Sequence, residues 1–137
     1  MKLFVDTSAL IALADRSDQF HRPAKALMET LPSSTRFQTS NYVVDETVTR
    51  LRLTAGVRVA VLAAEALWSS ELYQVHTVDR AIEEQALKLL QKYADHHLSF
   101  TDCTTLVLLE RLGLGEVFAF DEDFRNVGYR VVPLASR

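Results

Sequence analysis

Short apolar runs that alternate with helix-length amphipathic stretches place this chain in the α/β class. Three observations carry that expectation. The run Leu3-Phe4-Val5 stops abruptly at Asp6-Thr7-Ser8, where helical spacing begins. A second run, Val117-Phe118-Ala119-Phe120, stops at Asp121 in the same way. Between them, segments with apolar residues near a 3.6-residue period alternate with brief β-type segments. Strands separated by helices and short loops predict a three-layer α/β/α sandwich around a central, mainly parallel sheet of four or five strands.

The elements follow in order. Residues 2–5 are the first strand, and residues 8–14 a short helix with Leu10, Ile11, Leu13 and Ala14 apolar. Asp15-Arg16-Ser17-Asp18 breaks it, and a second helix covers residues 19–31 until Pro32. A β segment at 36–39 leads into Ser40-Asn41, good N-cap chemistry for a helix over 42–54 that Gly56 closes. Residues 57–70 form the next helix, with Val61, Leu62, Ala64, Leu67 and Trp68 on its apolar side. A strand is expected at 72–78 and an amphipathic helix at 79–93, carried by Ile82, Ala86, Leu89 and Leu90. The helix over 101–112 ends at Gly113 and Gly115, and strands at 116–120 and 129–132 complete the set. No linker, low-complexity tract or repeat interrupts residues 1–137, so a single domain is expected.

Composition supports a packed, soluble domain, with 48% hydrophobic and 24% charged residues. One cysteine, Cys103, rules out an internal disulfide or a cysteine-built zinc site and suits a reducing cytoplasm. The N-terminal stretch is too short for the apolar core of a signal peptide. No apolar run nears the ~20 residues of a membrane span, so no membrane role is expected. A net charge of −3 speaks mildly against a general nucleic-acid binder. That objection weakens if several acids bind cations, and Arg50, Arg52 and Arg58 make one stretch locally basic.

Asp6 stands where the first strand ends, the edge at which open α/β sheets bind ligands. Capping of the following helix explains its residue type but not why the strand finishes there. Asp121 repeats the arrangement, with Glu122 and Asp123 beside it, although a turn or N-cap would also explain it. Tips of adjacent parallel strands lie ~4.8 Å apart, close enough to share one ion. Glu46 lies in the helix over 42–54, pointing away from the face shared by Val44, Thr47, Val48 and Leu51. A solvated glutamate favoured by the helix dipole explains it slightly better than a site role does. Asp102 belongs to Ser99-Phe100-Thr101-Asp102, an ordinary capping-box pattern equally compatible with metal binding.

Four acids brought together repel one another unless a cation sits between them. With no His or Cys set at ligand spacing, oxygen ligands select a hard cation, Mg²⁺ or Mn²⁺. Such ions, one or two of them ~3.5–4 Å apart, support phosphodiester hydrolysis by activating water and stabilising the leaving oxygen. His21, His76, His96 and His97 read as surface or structural, and neither G-x-x-x-x-G-K-[ST] nor G-x-G-x-x-G is present.

Four segments together resemble the PIN-domain family: Phe4-Val5-Asp6-Thr7-Ser8-Ala9-Leu10, Thr39-Ser40-Asn41-Tyr42-Val43-Val44-Asp45-Glu46-Thr47, Leu98-Ser99-Phe100-Thr101-Asp102-Cys103 and Phe118-Ala119-Phe120-Asp121-Glu122-Asp123-Phe124. A chain of this length resembles the VapC-type toxins of toxin–antitoxin pairs. The resemblance implies a PIN-like fold and a Mg²⁺- or Mn²⁺-dependent ribonuclease acting on RNA. By motif, the acids fall on Asp6, Glu46 rather than Asp45, Asp102, and Asp121 with Asp123 as assistant or substitute. The small hydroxyl after the first acid falls on Thr7. The same likeness implies a homodimer silenced by a cognate antitoxin, and Tyr42, Leu53, Trp68 and Leu72 supply apolar surface for a dimer. Arg50 or Arg52 is expected to meet the RNA backbone.

Two rivals are weaker. A phosphotransfer or receiver domain also uses strand-tip acids, but the second Asp that a nucleophilic-aspartate phosphatase needs is replaced here by Ser8. A non-catalytic scaffold of the same fold, binding RNA or protein, has no need to keep all four acids.

Overall fold

In the computed structural model, which describes residues 1–134, five parallel strands form one sheet in the order β3-β2-β1-β4-β5. Strand β1 (Lys2–Val5) is central, flanked by β2 (Arg36–Ser40) and β4 (Glu116–Phe118), with β3 (Tyr73–His76) and β5 (Arg130–Val132) at the edges. Covered on both faces, β1 reads as a continuous apolar run, and Leu3, Phe4 and Val5 are fully buried. Polar β2 is buried too. It compensates within the sheet: Thr39 Oγ1 donates to Val5 O at 3.1 Å, and Gln38 Oε1 meets His76 Nε2 at 2.7 Å.

Six helices cover the sheet. They are α1 (Thr7–Ala14), α2 (His21–Thr30), α3 (Asn41–Thr54), α4 (Val57–Ser69), α5 (Arg80–Lys92) and α6 (Phe100–Leu112). Right-handed crossovers place α1 to α4 on one face and α5 and α6 on the other. Packing agrees, since α1 meets α2 and α3, α3 meets α4, and α5 meets α6. Helix α6 is buried from Cys103 to Leu109 without a break, as a core helix must be, and Gly113 ends it in the left-handed conformation (φ 67°).

The order of strands has one consequence for function. From β1 the chain steps outward to β2 and β3, then crosses back to place β4 on the other side of β1. The reversal opens a crevice at the C-terminal ends of β1 and β4, the location where such sheets take ligands.

Several boundaries differ from the sequence expectation, each for a local reason. Helix α2 starts at His21 rather than residue 19, because Asp18 Oδ2 accepts the Phe20 N–H in a turn at 2.9 Å. Strand β4 ends at Phe118 rather than 120, because Phe120 N leaves the ladder and donates to Ser8 Oγ at 2.9 Å. Strand β3 stops at His76 rather than 78, as Val78 N is captured by Asn41 Oδ1 at 2.8 Å and Asp79 caps α5. Helix α4 buries Ala60, Ala64 and Leu67, whereas the expected core residues Val61, Leu62 and Trp68 face outward. Among the described residues no helix is long and apolar enough to cross a membrane.

Leu109 is fully buried in the main core, so Leu109→Ala should cost about 2–5 kcal/mol in urea unfolding. Ser99 caps α6, and Ser99→Ala should cost about 1 kcal/mol in the same measurement.

Candidate functional site

The first acid is built by the junction of β1 with α1. Asp6 N still donates to Phe118 O at 3.0 Å, so the sheet holds its backbone while its side chain caps α1. Asp6 Oδ2 accepts a hydrogen bond from Ser8 Oγ at 3.1 Å and a long one from Ser8 N at 3.5 Å. Asp6 Oδ1 is buried and has no hydrogen-bond partner among the described residues. Capping therefore uses one oxygen and leaves the other free for a different task. Only 3% of the residue is exposed. A carboxylate buried to that degree is costly unless something compensates it.

Three further acids act on it. The Asp6 carboxyl is raised well above the ordinary carboxylate range, first by burial and then by the charges of Asp121 and Asp102, with Glu46 adding to them. Asp102 rises to about 6, mainly from burial, with Asp121 and Glu46 pushing the same way and the Ser99 N–H pulling it down. Asp121 is raised by burial and by Asp123, and again by Glu46. The hydrogen bond from Asp123 N holds Asp121 down. The four sequence-expected acids thus meet at the C-terminal edge of the sheet, where Asp121, Asp102 and Glu46 all act electrostatically on Asp6.

Each is positioned by a separate device. Asp102 sits in a complete capping box, accepting from Ser99 N at 2.9 Å while its own N–H donates to Ser99 Oγ at 3.0 Å. Glu46 is half-buried on α3, whereas Asp45 is exposed, so the fold turns the former inward. Asp121 Oδ1 accepts from Asp123 N at 3.2 Å, which makes the backbone of Asp123 a support for Asp121. Thr7, the small hydroxyl after the first acid, is buried and its Oγ1 has no partner. Among the described residues no three His, Cys, Asp or Glu side chains close tightly enough to hold an ion between them alone.

Two features were not legible in the sequence. Ser8 does more than bond Asp6, because its Oγ also accepts from Phe120 N and so ties α1 to the start of the Asp121 loop. Phe20 and Phe120 stack with centroids 4.7 Å apart and planes 6° from parallel, right beside Asp121. Nothing in residue type signals contacts spanning that much chain. An apolar cavity of ≈ 330 Å³ between α1 and α4, lined by Leu10, Leu13, Leu62 and Leu67, holds no acid and lies apart from this site.

Raised carboxyls have a defined linkage sign. The folded chain binds more protons than the unfolded one between the ordinary carboxyl range and about 6, so stability is lost as pH rises through that window. Chelator-treated protein should therefore melt at a lower temperature at pH 7.5 than at pH 5. Asp102→Asn should flatten this profile in a thermal scan, and an unchanged slope would contradict the raised value.

Residues 3–129 match the family described as PIN domain. Over 127 residues the chain is 37% identical to the 23S rRNA-specific endonuclease VapC20 of Mycobacterium tuberculosis (strain H37Rv), covering 93% of this chain and 95% of that protein. The crystal structure of M. tuberculosis VapC20, described as a sarcin-ricin loop cleaving toxin, superposes with a TM-score of 0.86 at 36% identity, covering 93% and 95% of the two chains. A Klebsiella pneumoniae toxin–antitoxin complex shares the fold, with a TM-score of 0.67 at 21% identity and coverage of 98% and 99%. By sequence and by architecture, this chain belongs to the PIN-domain family and to its VapC-type branch.

Proposed function

We propose that the chain is a Mg²⁺- or Mn²⁺-dependent endoribonuclease, the toxin of a toxin–antitoxin pair, with Asp6, Glu46, Asp102 and Asp121 as its working acids. The observation that carries this reading is Asp6: a carboxylate 3% exposed, with one oxygen unpartnered, amid three other acids at the crevice between β1 and β4. Such a group is unstable as an isolated anion and well suited to a cation. The donor set consists of carboxylates and hydroxyls, which favours a hard ion. Mg²⁺ binds through one or two carboxylates and completes its shell with water and substrate phosphate, so it does not require three acids in contact. Asp6 and Asp121 would hold it, with Asp102 and Glu46 placed for its waters or for a second ion. A divalent ion there supplies Lewis-acid chemistry, neutralising phosphate charge and activating water.

The chain's own residues do the rest. Ser8 fixes the Asp6 carboxyl through Oδ2, leaving Oδ1 to the site. A bound cation would favour the ionised form of Asp6, Asp121 and Asp102, the form that burial and mutual repulsion otherwise oppose. The likeness to VapC20 supports ribosomal RNA as the substrate class, and the fold shared with a toxin–antitoxin complex fits an antitoxin as partner. A homodimer is supported by the outward-facing Leu53, Trp68 and Leu72, exposed by 77%, 67% and 41%. Tyr42 fits that role less well, since its hydroxyl bonds Glu83 and its ring packs edge-on to Phe100.

Wild-type protein should cut RNA with Mg²⁺ or Mn²⁺ and stop on addition of EDTA. Loss of a supporting hydrogen bond at a metal site costs about 10- to 100-fold, so Ser8→Ala should fall in that range. Asp6→Asn, which removes a ligand itself, should lose at least about 100-fold. Calorimetric titration with Mn²⁺ should show binding to wild type and none to Asp6→Asn. Equal cleavage by Asp6→Asn and wild type would refute the assignment.

A further inference from the structure

Next to the acids lies a second chemistry. A cavity of ≈ 270 Å³ is lined by Asp18, Gln19, Phe20, Arg50, Phe120 and Asp121, so it shares Asp121 with the acid set. One wall is aromatic, formed by the half-buried, near-parallel rings of Phe20 and Phe120. Both rings are anchored. Phe20 N donates to Asp18 Oδ2, Phe120 N donates to Ser8 Oγ, and Phe118 packs edge-on to Phe120 at 6.1 Å. Gln19 and Arg50, both exposed, supply polar lining. Among the described residues Arg50 forms no ion pair, although Asp18 and Asp121 line the same cavity. Arg52, its neighbour in sequence, does not line it.

An aromatic ring, an amide and a guanidinium outside any ion pair are the groups that recognise an unpaired nucleotide: the outer ring face of the stacked pair for the base, the amide for the base edge, the guanidinium for phosphate. The volume lies near the lower limit of small-molecule sites, about 300 Å³, and suits one nucleotide rather than a duplex. We propose that this cavity takes a single unpaired nucleotide of the RNA, adjacent to the bond that is cut. Its base lies against the Phe20–Phe120 wall, the Gln19 amide reads the base edge, and Arg50 holds its phosphate. The subsite rests on the ribonuclease reading and deepens it, since it makes base preference a property of Gln19 and the aromatic pair. Its location beside Asp121 ties recognition to the acids, so a nucleotide seated there presents its flanking phosphate to them.

Binding separates this subsite from the chemistry. Fluorescence anisotropy would follow labelled single-stranded homopolymer RNAs (A, C, G and U) on Asp6→Asn protein in Mg²⁺, at several salt concentrations. Added Arg50→Ala should weaken all four about tenfold and reduce the salt slope by about one. Phe120→Leu should weaken them about tenfold through lost stacking. Gln19→Ala should change the order of preference among the bases. Gln19 and Arg50 are exposed, so their substitution leaves the core intact and keeps the result readable even if Phe120→Leu misfolds. Binding that is absent in the Asp6→Asn parent, or unchanged in both Arg50→Ala and Gln19→Ala, overturns the subsite. Should wild type cut RNA while those two variants bind normally, the nuclease reading stands and the subsite falls. Conversely, Arg50-dependent binding by a wild-type protein that cuts nothing keeps the subsite and ends the nuclease reading.

Discussion

Mutual repulsion among carboxylates at the C-terminal edge of the sheet is the constraint around which this molecule is organised. Asp6 is almost fully buried, and the charges of Asp121, Asp102 and Glu46 all act on it. Burial of an anion is costly, and burial beside other anions is more so. The fold offsets part of that cost locally with the Ser8 hydroxyl and the Ser99 and Asp123 amides. Surplus negative charge remains at that edge.

Two of the acids are helix caps as well as members of the cluster. Asp6 caps α1, and Asp102 closes the capping box of α6. Those bonds lock the side chains in position before anything binds. They also aim the positive ends of two helices at the acids, which lowers the cost of concentrating negative charge there. The capping and site explanations, alternatives when only residue types are considered, describe the same atoms in two capacities. In Asp6 the division is by oxygen: Oδ2 caps, while Oδ1 is unpartnered.

Ser8 couples this electrostatic centre to the surrounding surface. Its hydroxyl donates to Asp6 and accepts from Phe120 N, and that second bond ends β4 early and sends the following chain across the sheet edge. The diverted segment carries Asp121 to the acids and lays Phe120 on Phe20. An acid cluster alone repels RNA. In the proposed subsite the neighbouring cavity would add the attraction that is missing, with Arg50 for charge and the aromatic pair for stacking.

The class of fold was legible in residue order and period, which also marked Asp6, Asp121 and Asp102 as candidates, whereas Glu46 joined the set through the family resemblance. Apolar runs broken off by Asp6 and Asp121, and the Ser99–Asp102 spacing, are local patterns in which burial and capping follow from residue type and period. The helix over residues 57–70 was legible as an element but not in its orientation, because apolar residues surround it and only packing selects Ala60, Ala64 and Leu67. Strand order, and with it the pairing of β1 with β4 that sets Asp6 beside Asp121, was decided by tertiary structure. So were the Ser8–Phe120 bond and the Phe20–Phe120 stack, contacts between parts of the chain that meet only when the sheet assembles. Local periodicity reports how each segment buries its own side chains; which segments become neighbours depends on closing long loops against a common core, and no short-range signal encodes that.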